Sequence, residues 1–140
     1  MSDYCNALGR LLLSIVFIYF GYLQFTNIAT YAANPAVLKF VAITGNIAPP
    51  TVIAYLVAAI DLFGGLMLLA GFKLRWVAWV LFVFVALTIF FAHPFWTMEG
   101  PARVANQGHF LKNLALMGAL LLVAFGNPGR CSLDGRISAR

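Results

Sequence analysis

At 140 residues, with 63% hydrophobic and only 9% charged side chains, the chain is far more apolar than a soluble domain, whose charged share is about 25%. That balance excludes an ordinary water-soluble protein. The net charge of +5 raises nucleic acid as a partner, but the charges lie between apolar runs or beyond the last one, so they read as topology signals and lipid-headgroup contacts.

Four apolar runs, at about 8–28, 51–72, 74–92 and 110–126, are each near the roughly 20 residues a helix needs to cross the hydrocarbon. They show no period-2 alternation, so a β-barrel is a poor reading. The fold class expected is all-α: a polytopic membrane protein whose four transmembrane helices form one bundle, a single domain over 1–140. The first run exceeds the usual signal-peptide h-region and no convincing A-x-A site follows it, so it is expected to remain as a span.

The segment 29–50 carries Asn34-Pro35, Gly45-Asn46 and Pro49-Pro50, breakers that argue against a continuous helix while leaving room for a short interfacial one at 36–43. After the second span, a tight turn holds Lys73 and Arg75. With Arg10, Arg130, Arg136 and Arg140 these give one side of the membrane its basic excess; Lys39 and Arg103 lie opposite. Both termini are therefore expected in the cytoplasm, of a bacterial-type inner membrane. Trp76, Trp79 and Trp96 fall where aromatic belts form. Cys5 and Cys131 read as free thiols, with a transient disulfide as the alternative.

Asp61 stands in the middle of the second apolar run, where a carboxylate is costly and marks a proton, ion or substrate site. Its face takes in Val57, Ala58, Gly64, Gly65 and Leu68, small enough for another helix to approach closely, so Asp61 should look into the bundle. The alternative is a protonated acid serving as interhelical glue. In the last span His109, Lys112 and Asn113 share one side of the first two turns, and a Lys there opposes the helix dipole unless an anion such as Asp61 or Glu99 is near. Against this, Lys112 can snorkel to the outer headgroups and His109 can sit in water. Gln24 and His93 end at a similar level, so all four spans bring a polar group toward the outer half of the bundle. Asp61, His109, Lys112, Asn113, Gln24 and His93 make up the candidate ligand or proton site. No haem, flavin, iron-sulfur or metal-ligand motif is visible in the sequence.

The stretch His109-Phe110-Leu111-Lys112-Asn113-Leu114-Ala115-Leu116-Met117-Gly118, continuing through Gly129-Arg130-Cys131-Ser132-Leu133-Asp134, resembles the closing signature of the DoxX family of small four-helix membrane proteins. Arg10, Gly21, and Ile60-Asp61-Leu62-Phe63-Gly64-Gly65 with Gly71 and Arg75 fit the same pattern. Three positions depart from it: Asp61 stands where Glu is usual, Gln24 where a basic residue is common, and Cys131 where an aromatic residue is often found. Loss of the first-helix cation points to Lys112 as the acid's main partner. The resemblance implies a redox context, because DoxX-like proteins are associated with membrane oxidoreductase systems, including a thiosulfate:quinone oxidoreductase subunit and complexes linking thiol or sulfur metabolism to oxidative-stress defence.

Three readings follow. The chain is an accessory or quinone-interacting subunit of such a system, with electrons and the redox centre supplied by a partner and Asp61, His109 and Lys112 binding the quinone oxygens or moving protons. Alternatively it is a small proton-coupled transporter or channel-like protein, for which four short helices leave little room for alternating access and so favour a homo-oligomer over a monomer, or a structural assembly subunit.

Overall fold

The computed structural model describes residues 2–138, and the secondary structure among them is helical throughout. Arg140, counted above in the basic excess, lies outside the described residues. Helix α1 (Ser2–Thr26) begins six residues earlier than its apolar run, with Asp3 in the first turn, where a carboxylate favours the positive end of a helix. A short helix α2 (Ile28–Ala32) follows. Helix α3 (Pro35–Ile43) is the short helix expected at 36–43: Pro35 supplies its first turn, and the Asn34 side chain caps it by accepting from Ala36 N at 2.9 Å.

Helix α4 (Pro50–Ala70) carries Asp61 and ends at Gly71, whose φ of +70° is the left-handed conformation that glycine adopts without penalty. Helix α5 (Leu74–Ala92) runs back, and a 3₁₀ turn (Phe95–Thr97) leads into α6 (Gly100–Phe125). A last short helix, α7 (Leu133–Ser138), lies in the tail.

The fourth span corrects the sequence reading. By sequence, Pro94, Gly100 and Pro101 make 93–108 an expected outer loop, with the span beginning near 110, yet α6 starts at Gly100. Proline is tolerated in a helix's first turn because its missing N–H has no intrahelical partner there. Gly108 has open space where a Cβ would stand, so it only lowers helix propensity.

Among the described residues, four helices are long and apolar enough to cross a membrane: α1, α4, α5 with its 3₁₀ extension, and α6. Four crossings bring both ends of the chain to one side, called here the tail end; α2, α3 and the 3₁₀ turn mark the loop end. The packing order is α1 on α4, α4 on α5 and α5 on α6, with α1 and α6 meeting at few points. One apolar core draws on all four, from Leu13 and Phe17 through Leu68, Leu81 and Val85 to Leu120 and Ala124. The outward residues, among them Leu12, Phe63, Val83 and Leu122, are apolar and exposed, as expected for surfaces that face lipid. Trp76 and Trp96 are exposed near opposite ends of α5, in the positions of belt anchors.

Candidate functional site

Asp61 lies inside the bundle, 5% exposed, and accepts a 2.8 Å hydrogen bond at Oδ2 from Nε2 of Gln24, itself 7% exposed. Two glycines bring the carrying helices together. A Cβ on Gly21, one turn before Gln24, would stand 2.7 Å from Leu62 Cα; one on Gly65, one turn after Asp61, would stand 2.9 Å from Ile18 N. Such distances leave no room for a side chain, so α1 and α4 touch backbone to backbone at the level where the short acid must reach its partner. The amide oxygen Gln24 Oε1 is buried with no hydrogen-bond partner among the described residues.

The other candidates do not join this pair. Asn113 is buried and donates to Thr88 Oγ1 at 3.3 Å, and Thr88 donates to Val85 O at 2.7 Å, so these residues tie α6 to α5. His109 is exposed and stacks on His93 with ring centroids 4.8 Å apart and planes 20° from parallel. His93 Nδ1 donates to Asn106 Oδ1 at 3.1 Å, and Asn106 donates to Ala102 O at 3.0 Å. Lys112 is exposed, and its Nζ lies 5.4 Å from the centre of the Phe20 ring, a cation-π contact from α6 to α1.

The expected meeting of Lys112 with Asp61 is therefore absent among the described residues, for two physical reasons. Because α6 begins at Gly100, Lys112 is in its fourth turn, about 18 Å along the helix and clear of the dipole end that would call for an anion. Gln24 also fills the acid's hydrogen-bonding role from α1: where the resembling family commonly has a cation and a longer acid, this chain pairs a neutral amide with a shorter one. The single convergent cluster resolves into an α1–α4 pair, an α5–α6 polar seam and Lys112 across the gap between α1 and α6.

Sequence reasoning misses Thr88, Asn106 and above all Arg10. Thr88 is the one hydroxyl of the span 74–92, a signal available in the sequence itself. Arg10 is counted in the sequence with the basic excess of one side, with no partner assigned to it; it is 5% exposed and its guanidinium reaches the tail: Nη1 donates to Pro128 O and Nη2 to Cys131 O, both at 2.7 Å. Ser132 packs against Gly71, Asp134 N donates to Gly71 O at 2.9 Å, and the Asp134 carboxylate accepts from Lys73 N and Leu74 N at 2.8 Å each. The closing motif 129–134 is thus a lock that fastens the tail across the ends of α1, α4 and α5. Cys5 and Cys131 are free and exposed. Surface depressions of about 300 and 180 Å³, both bordered by Arg75 and Asp134, also lie at this end, at least about 13 Å along α4 from Asp61.

Fold and pair together define a four-span helical membrane protein with a buried acid–amide link between its first and second spans. The chain belongs to the DoxX family, whose sequence model matches residues 6–94, taking in α1, α4 and α5. It is 31% identical over 131 residues to the inner membrane protein YphA of Escherichia coli, covering 92% of this chain and 87% of that one. It is 32% identical over 134 residues to the inner membrane protein YqjF of the same organism, covering 96% and 92%. Alignments of that length include most of α6, which the family model does not reach. No solved structure matches the chain. The protein is a multi-pass inner-membrane protein.

Proposed function

We propose that the protein is an accessory membrane subunit of an oxidoreductase system, with its termini in the cytoplasm and a partner protein carrying the redox centre. The context comes from the DoxX family's association with such systems. The observation that carries the subunit role is the engagement of Asp61: the buried acid is closed by Gln24 between two helices in backbone contact, the geometry of a residue that fixes a helix pair. A helix pair held in one register offers a partner a constant lipid-exposed face. The whole chain acts in this reading as one membrane domain.

The quinone-interacting form of this reading draws on a different observation. Lys112 and the His93–His109 stack supply hydrogen-bond donors beside the sparsely packed gap between α1 and α6, where Phe20 offers an aromatic face to a ring. A quinone needs donors for its two carbonyl oxygens and an apolar wall for its ring. In this form Lys112 and His109 hold the headgroup, while Asp61 holds α1 in place.

The test is purification in mild detergent from the native membrane, with co-purifying proteins and small molecules identified by mass spectrometry for wild type, Asp61→Leu, which removes the acceptor, and Lys112→Gln. A redox protein retained by wild type and lost in Asp61→Leu supports the subunit reading, and a quinone lost only in Lys112→Gln supports its quinone-interacting form. A partnerless, ligand-free bundle in all three sinks both and moves the proton-coupled transporter, tested by liposome flux, to the front.

A further inference from the structure

The tail end of the bundle carries cations that no acid among the described residues neutralises. A depression of about 300 Å³ is lined by Phe72, Lys73, Arg75, Trp76, Asp134 and Ile137. Arg75 uses its Nε on Ala124 O at 3.3 Å, and its two terminal nitrogens have no protein acceptor among the described residues. Lys73 has no carboxylate partner there either. Asp134 is the one acid of the lining, and both its oxygens accept from backbone N–H groups at the start of α5. The helix end is therefore already closed by the chain itself, and the unspent donors are side-chain cations.

Two further features point to the class of ligand. A second depression of about 180 Å³ shares Arg75 and Asp134 with the first and continues along Val123, Ala124, Gly126 and Pro128, an apolar track between the ends of α5 and α6. Behind its Pro128 wall lies the buried Arg10, which donates to Pro128 O, keeps an unpartnered Nε and has no carboxylate in contact among the described residues. Positive charge thus stands both around and behind the site, at the membrane level marked by Trp76. A cationic recess continuous with an apolar track is complementary to an amphiphile with an anionic head.

We propose that this recess holds one anionic phospholipid, with its phosphate between Lys73 and Arg75, its glycerol against Trp76 and the start of an acyl chain along Val123 and Ala124. The lipid lies over the place where the tail is locked to α4 and α5, so it reinforces the lock and is not a substrate.

Native mass spectrometry of the full chain in detergent, titrated with phosphatidylglycerol or phosphatidylcholine of the same acyl chains, tests this. Wild type should retain one phosphatidylglycerol at concentrations where phosphatidylcholine is released. Removing each cation should weaken retention about fivefold. Lys73 has a φ of +50°, so Lys73→Asn suits its left-handed backbone, and Arg75→Gln completes the pair. Lys39→Gln, at the loop end, is the control and should retain the lipid. If Lys73→Asn/Arg75→Gln does not fold, Lys73→Asn alone carries the same test. Equal retention of the two lipids by wild type, or unchanged phosphatidylglycerol retention in the Lys73 variants, overturns the proposal. Displacement of the lipid by inorganic phosphate at millimolar concentration would assign the recess to a soluble phosphate instead and overturn the lipid.

Discussion

Gly21 lies against the backbone of Leu62, one helical turn before the bond that joins Gln24 to Asp61. Any side chain at position 21 has to push α1 from α4, and the short acid cannot follow. Gly21→Leu is therefore expected to cost about 1–3 kcal/mol from overpacking, plus the lost bond. Thermal unfolding in detergent should fall well below wild type, while Gly118→Leu, on an open face of α6, should leave it nearly unchanged. Equal losses at the two positions would refute the close contact between α1 and α4.

The Gln24–Asp61 bond should show the asymmetry of a buried polar pair. Asp61→Leu leaves the Gln24 amide buried without any partner, at a cost of about 1–3 kcal/mol, whereas Gln24→Leu/Asp61→Leu removes both polar groups and should recover most of it. Asp61→Asn keeps an acceptor oxygen at the same reach and should stay near wild type. A coupling of about 0.6 kcal/mol, and at most about 1.7, is what transmembrane hydrogen bonds deliver in double-mutant cycles. Additive single-variant losses would show that the bond contributes nothing.

The four spans are legible in the sequence from apolar length, and the inward face of Asp61 from small residues at helical spacing, because both depend on periodicity alone. The partner of Asp61 is not. Charge points to Lys112, but which helices pair is decided by backbone approach, and the decisive signals are Gly21 and Gly65, each a turn from the polar residue it serves. Arg10 is ambiguous for a related reason: a basic residue at the start of an apolar run has two fates, headgroup contact or carbonyl capture. Only the position of the tail, 118 and 121 residues further on, tells them apart.

The tail lock should be separable from the bundle. Asp134→Ala removes the carboxylate that caps Lys73 N and Leu74 N, a loss of about 0.5–2 kcal/mol on the scale of helix caps. Arg10→Leu removes two charge-assisted bonds to Pro128 O and Cys131 O. Both variants should expose residues 127–138 to protease in detergent while the four spans stay protected. Cleavage unchanged from wild type in both would show that the tail is held by other contacts.

Topology has a direct readout in the two cysteines. Cys5 near the start of α1 and Cys131 in the tail are free, exposed and on the same side of a four-span bundle. In the proposed orientation this end, with its excess of Lys and Arg, faces the cytoplasm. In intact cells with a permeable outer membrane, a membrane-impermeant maleimide should label neither Cys131→Ser, which reports Cys5 alone, nor Cys5→Ser, which reports Cys131. Both variants should react fully once the inner membrane is opened. A cysteine introduced at Asn46, in the exposed loop before α4, should behave in the opposite way and react in intact cells. Labelling of Cys5 and Cys131 from outside would invert the orientation, and opposite behaviour of the two would contradict an even number of crossings.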